Sequence, residues 1–268
     1  MPTERLKSMI LALLLLANLA FGALLFYRFA QAARFQQDTL HQTITILEEQ
    51  GGIHMPAALP DAIPLVPLAA TRNADDDLRF MESFLGPCTA EDQGGGLVRY
   101  TGAYGSGHLR RTAAFDLLFP APIRNENEQP VELAARLLAA AGVEARMLST
   151  APANDEPLVY QQLLGGTPVL GYHIVFTFKD GALSAISGHY VSPSRQPQDF
   201  TAEPLDMATL LTRFYAGLRS GSYLCRELTT VSVAYQADST GQFLPVWVFR
   251  TDTGSFHLDP LTGAMTPA

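Results

Sequence analysis

The chain has 268 residues, 18 basic against 26 acidic, a formal net charge of −8, and a composition that is 47% hydrophobic and 16% charged. That is too apolar for intrinsic disorder and too acidic for a nucleic-acid binder, which needs a basic stripe. The length suits one large domain or two small ones.

Residues 9–27, MILALLLLANLAFGALLFY, form one apolar run with no charged residue and one strongly polar one, Asn18. As an α-helix the run reaches about 28 Å, close to the roughly 30 Å hydrocarbon core of a bilayer. Arg5 and Lys7 precede it and Arg28 and Arg34 follow, so charge begins where the membrane interface should begin. The expectation is a single-pass cell-membrane protein. Residues 1–8 would be a cytoplasmic tail, residues 9–27 the transmembrane helix, and the rest an extracytoplasmic domain. The basic residues are balanced across the run, which weakens the positive-inside argument. A cleaved signal peptide is the alternative. Ala30-Gln31-Ala32 offers an A-x-A site, but Tyr27, Arg28 and Phe29 occupy positions that favour small neutral residues, and the run exceeds the about 7 to 15 apolar residues of such a peptide. Neither cysteine lies near the N-terminus, which excludes a lipoprotein.

Within this run an unpartnered amide is costly in lipid, and a hydrogen bond to a neighbouring helix relieves the cost. Gly22 lies one turn after Asn18, and Leu11, Leu14, Leu15 and Leu25 complete roughly the same face, so a partner helix is expected there. The bland alternative is that Asn18 is a tolerated polar defect.

Residues 28–52 read as a juxtamembrane helix. Phe26, Ala33, Leu40 and Leu47 recur every seven residues, and Gly51-Gly52 stops the run. Gln37 and Thr43 dilute the seam, which favours a stalk packed on its own domain over a parallel coiled coil. Four prolines in residues 56–67 make the following stretch an extended connection.

A helix followed by an antiparallel meander then recurs three times. The first helix opens at Asp75-Asp76-Asp77, shows Leu78, Met81 and Leu85 on one face and ends at Gly86-Pro87. Strands over 97–101 and 109–119 follow, with Ala113, Phe115, Leu117 and Phe119 alternating against Thr112 and Asp116. The second helix opens at Pro130 and stops at Gly142. Tyr172, Ile174, Phe176 and Phe178 then share a strand face, and Lys179-Asp180-Gly181 turns into a strand over 182–191. The third helix has Asp206 as its cap, a stripe of Met207, Leu210, Phe214 and Leu218, and Gly221 after it. Strands over 229–235, 243–251 and 255–259 close the chain, with turns at 238–241 and 252–254. The fold class is α+β, with one lobe over 53–125 and a second over 126–268.

Candidate chemistry is sparse. Asp252-Thr253-Gly254-Ser255 resembles the active-site loop of aspartic proteases, but such enzymes need two carboxylates sharing a proton, and a single copy between two strand patterns reads as a hairpin turn. Six histidines, His41, His54, His108, His173, His189 and His257, show no metal-ligand spacing. Gly105-Ser106-Gly107 is no nucleophile elbow, and Gly94-Gly95-Gly96 lacks the lysine and hydroxyl of a phosphate loop. No catalytic residue, cofactor or metal is expected. Cys88 and Cys225 each follow a helix. They read either as a disulfide in an oxidising exterior or as two small buried thiols.

Three stretches together resemble the YycI family of membrane-anchored proteins that accompany a sensor histidine kinase and are related to YycH. RLKSMILALLLLANLAFGALLFYRF is similar to the family's basic tail and anchor, GGTPVLGYHIVFTFKDGALSAISGHYV to its G-x-P strand and following hairpin, and LPVWVFRTDTGSFHLDPLTGAM to its closing P-V-W strand, a pattern PepSY-type domains share. The resemblance implies an extracytoplasmic α+β domain with no enzymatic activity, whose partners are the kinase and a YycH-like protein, in cell-wall-linked two-component signalling. An anchored PepSY-like module that binds or inhibits a secreted peptidase is the alternative. The high glycine and alanine content, the cysteines and residues 75–119 depart from the family's pattern.

Overall fold

The computed structural model describes residues 2–60, 66–70, 72–123, 128–148, 156–191, 195–198, 202–238 and 240–268; at 2–12, 29, 30, 32, 33, 70, 122 and 195 the description is of the backbone alone. In chain order the elements are α1 (Pro2–Glu49), β1 (Leu68–Ala70), α2 (Ala74–Leu85), β2 (Cys88–Asp92), β3 (Leu97–Gly102), β4 (Ser106–Arg110), β5 (Ala114–Ile123), α3 (Pro130–Ala140) and β6 (Ala145–Met147). There follow β7 (Leu158–Leu164), β8 (Thr167–Lys179), β9 (Ala182–His189), β10 (Arg195–Pro197), α4 (Met207–Ser220), β11 (Leu228–Ala237), β12 (Gln242–Thr251), β13 (Ser255–Leu258) and β14 (Met265–Pro267). The protein is a mixed α+β structure dominated by antiparallel pairing.

Helix ends follow local chemistry. Asn73 caps α2, its side chain accepting from Asp76 N, while Asp75, Asp76 and Asp77 fill the first turn where the helix dipole favours acids. Pro130 opens α3, and Glu132 reaches back to accept from Gln129 N. Asp206 caps α4 by accepting from Thr209 N at 2.8 Å. α1 ends where Gly52 takes φ 64°, a conformation that suits glycine.

The chain forms two compact units, neither of them a continuous stretch: residues 1–62, 204–231 and 249–268 make the first, and 63–203 with 232–248 the second. The second is built on strands in the order β10-β1-β12-β11-β8-β9-β5-β4-β3-β2, with β7 and then β6 branching from β8. Its core buries Phe80, Met81, Phe84 and Leu85 of α2 and Leu133, Ala134, Leu137 and Leu138 of α3 with Tyr100, Leu109, Phe115, Leu117, Ile174, Phe176 and Ile186 from the strands. Each such large side chain is worth about 1.5–3 kcal/mol of burial. Phe80 sits at the centre, stacked on Tyr190 at 3.8 Å between ring centroids and edge-on to Phe84 and Phe115.

The first unit has its own core. Leu210, Leu211, Phe214 and Leu218 of α4 are buried, as are Phe249, Phe256 and Leu258, and the Phe214 ring lies 4.8 Å from Phe249. Gly217 lets β14 approach α4, since a Cβ there would stand 2.8 Å from Met265. α1 lies against α4. Of its described side chains only Leu47 is buried, and Thr39, Leu40, Thr43 and Ile44 are half-buried.

Several expectations change. The strand expected over 109–119 is two strands, because Ala113 takes φ 64° and donates to Arg110 O, turning the chain between β4 and β5; the alternating burial of Ala113, Phe115, Leu117 and Phe119 still holds. Three separate meanders do not form. β5 pairs with β9, Phe115 opposite Gly188, so the pairing crosses the lobe boundary placed at residue 125 and the two units cut the chain differently. Among the described residues no helix is long and apolar enough to cross a membrane. The described side chains of the apolar run cover residues 13–27, 15 positions, short of the roughly 17 that the shortest spans need. The span expected over 9–27 rests on the sequence alone.

Candidate functional site

The D-T-G-S stretch is a hairpin turn with a second task. Thr251 N donates to Gly254 O at 2.7 Å, and Thr251 Oγ1 accepts from Thr253 N and Gly254 N, closing the turn between β12 and β13. Asp252 Oδ1 then accepts from Arg226 N at 3.1 Å and Glu227 N at 3.4 Å, while Thr253 Oγ1 donates to Leu224 O at 2.6 Å. The carboxylate is thus occupied by backbone amides of the loop between α4 and β11, a different use from sharing a proton with a second carboxylate.

That loop, residues 221–227, is held from every side. Tyr223 N donates to Leu218 O, His54 N to Arg226 O and Leu228 N to His54 O. Ser222 takes φ 56°, a left-handed conformation that costs a non-glycine residue about 1–2 kcal/mol. The Tyr223 ring packs edge-on to Phe256 with centroids 5.1 Å apart. Between these fixed neighbours the Leu224 side chain stands 82% exposed. Of this loop the sequence marks Gly221 and Cys225; Tyr223-Leu224 carries no signal beyond being an apolar pair just past a helix end.

Cys88 and Cys225 are free thiols, each half-buried, Cys88 in the second unit and Cys225 in the first. Burial, with Asp252 nearby as a second cause, pushes the Cys225 thiol up to about 11, and burial with Glu82 raises Cys88. Neither is poised as a thiolate nucleophile.

The histidines divide among unrelated settings. In the second unit His108 Nδ1 lies 3.2 Å from Asp116 Oδ2, and Arg110 donates to Asp116 Oδ1 at 2.7 Å, a half-exposed trio on adjacent strands β4 and β5. His189 meets the Tyr172 ring at 5.3 Å. Burial lowers the His257 pKa. No group of three metal-ligating side chains occurs among the described residues. Arg72 forms a latch instead of a site: it pairs with Asp77 and donates to the carbonyls of Arg110 and Arg111, fixing the turn after β4.

Of the residues expected to meet a partner helix, Asn18, Gly22, Leu14, Leu15 and Leu25 are exposed on α1; the Leu11 side chain lies outside the described residues. A Cβ on Gly22 would meet nothing within 4 Å. From Leu13 to Arg28 every described side chain is exposed.

No family model matches the chain, and no curated protein is similar enough to match it. Among solved structures, an uncharacterized protein from Eubacterium rectale aligns over 81% of this chain and 90% of its own at 14% identity, with a TM-score of 0.47. The C-terminal domain of Bacillus megaterium YpeB aligns over 74% of this chain and 98% of its own at 10% identity, with a TM-score of 0.38.

Proposed function

We propose that the chain is a membrane-anchored extracytoplasmic regulator that acts by protein contacts on a sensor histidine kinase in a cell-wall-linked two-component system. The observation that carries this reading is α1. Its residues 13–28 offer leucines and phenylalanines to their surroundings all round the helix, and none of the described residues covers them. Apolar surface of that extent calls for lipid or a partner helix. Together with residues 9–12 the run is long enough to span a bilayer, and Arg28 and Arg34 would mark the outer interface. The kinase and a YycH-like protein enter as partners through the three stretches that resemble the YycI family, and the absence of enzymatic activity enters by the same route.

The test uses the full chain in its native membrane. Carbonate-washed membranes should retain it, protease added outside should remove the domain, and the detergent-solubilised protein should co-purify with a histidine kinase. Release of a chain beginning near Ala33 into the medium would overturn the anchor. Co-purification with a secreted peptidase and no kinase would replace this reading with the PepSY-like one.

A further inference from the structure

We propose that α1 pairs in parallel with the α1 of a second copy of this chain, along a stripe that begins in the apolar run and continues beyond it. The proposal deepens the regulator reading and rests on its anchor. Leu13, Leu24, Phe35 and Ile46 stand eleven residues apart, and all four are exposed. At about 100° per residue that interval closes on three turns with a drift of about 20°, so the four side chains line one side of the helix.

Beyond the run, over residues 31–47, α1 differs from side to side. Leu40, Ile44 and Leu47 mark the side that is covered, where α1 lies against α4. The heptad seam of Phe26, Ala33, Leu40 and Leu47 ends on that side, so a second copy must use another. Arg34 and His41 mark a side suited to water. The stripe, about 130° round from Leu47, carries Gln31, Phe35, Gln42 and Ile46, all exposed and none charged. Ile46 lies about 28 Å beyond Tyr27 along the axis, too far out for the lipid that takes the run. What covers the whole stripe is a second helix that crosses the same boundary.

A second copy meets each requirement. In one membrane it runs parallel and at the same depth, so Leu13, Leu24, Phe35 and Ile46 each face their counterpart, and the amides of Gln31 and Gln42, which both donate and accept, meet between them. Asp38 flanks the stripe on one edge, and the two-fold of a parallel pair sets it against the other edge, which carries Thr39 and Thr43, and not against its own counterpart. Arg28 lies on the stripe at the expected interface, where its long stem carries the guanidinium out to the headgroups. Asn18 and Gly22 fall near the line of Leu47, about 130° away, so pairing leaves their face open to a different helix.

Two differently tagged copies of the full-length protein, co-expressed and extracted in mild detergent, should co-purify. Phe35→Glu with Ile46→Glu should cut that about tenfold or more while the chain stays in carbonate-washed membranes. The stripe joins copies and holds nothing within one, so the denaturant midpoint of the diluted, monomeric protein should not move. In a chain with Cys88→Ser and Cys225→Ser, oxidation in native membranes should give a covalent dimer from Gln31→Cys or Gln42→Cys and none from Arg34→Cys or His41→Cys. The tagged copies keep both native thiols, so they decide the matter even where that background fails to fold. Release of the chain from washed membranes overturns the anchor. Membrane-retained copies that do not co-purify, equal dimer from positions 41 and 42, or a bond from position 42 to a different protein in place of the dimer overturns the pairing.

Discussion

The helices of the second unit and α1 use similar residues to opposite ends. α2 and α3 are amphipathic, each sets one stripe into the sheet, and Phe80, Phe84, Leu133 and Leu137 are covered by their own chain. The apolar run of α1 is richer in leucine and phenylalanine, yet over its described side chains α1 buries Leu47 alone, and Phe35 stands 73% exposed in the stretch just after the basic flank. A stripe can be satisfied by one sheet face, whereas a helix apolar all round needs a solvent of its own kind. The second unit therefore carries its stabilising partners within the chain, whereas none of the described residues covers residues 13–28 of α1.

Phenylalanine deletions on the two sides break or sharpen that contrast most strongly. Phe80→Ala removes a ring held by Phe84, Phe115 and Tyr190 and should cost about 3–5 kcal/mol. Phe35→Ala should change stability by less than about 0.5 kcal/mol. Denaturant unfolding of the two variants against wild type measures both. A large loss from Phe35→Ala would mean that the stalk is packed in the folded protein and that the contrast fails.

A smaller effect probes how the second unit satisfies its buried polar groups. Gln162, 2% exposed, donates through Nε2 to His189 O and accepts through Oε1 from Val191 N. Gln162→Leu keeps the bulk and strands both backbone groups, so a loss of about 1–3 kcal/mol per orphaned group is expected. Protection of the Val191 amide against hydrogen exchange should fall with it. Unchanged protection would mean that water or another group takes over the contact.

What could be read from the sequence is what neighbouring residues decide among themselves. The cap at Asp206, the helix start at Pro130, the stops at Gly86 and Gly142, and the Asp180-Gly181 hairpin, with φ of 52° and 74°, all depend on contacts a few residues apart. The alternation of Phe115, Leu117 and Phe119 showed a buried face but not which strand lies beside it. The β5–β9 pairing joins residues some 70 positions apart, and only the folded chain chooses it. β2, with four of its five residues exposed, and the short β6 carry no apolar pattern and escaped notice for that reason. The D-T-G-S turn was readable as a turn; its grip on Leu224 and on the amides of Arg226 and Glu227 was not, since it spans 25 to 29 residues.

The finest test lies inside α1, where a single amide interrupts the apolar run. Asn18 and Gly22 are one turn apart and uncovered, and the space beside Gly22 is open to any approaching atom. Under the anchor reading this is the place where a second helix comes close and where the amide finds its hydrogen bond. Intramembrane hydrogen bonds average about 0.6 kcal/mol, so their loss alone weakens association only about threefold, and the bulk added at position 22 must supply the rest. Asn18→Leu with Gly22→Ile should therefore reduce co-purification with a kinase or a second anchored regulator by at least that factor while leaving membrane retention intact. Asn18→Leu alone should show the smaller part of the loss. If the double variant co-purifies as well as wild type, the recognition surface lies elsewhere and this face of α1 serves only to hold the chain at the membrane.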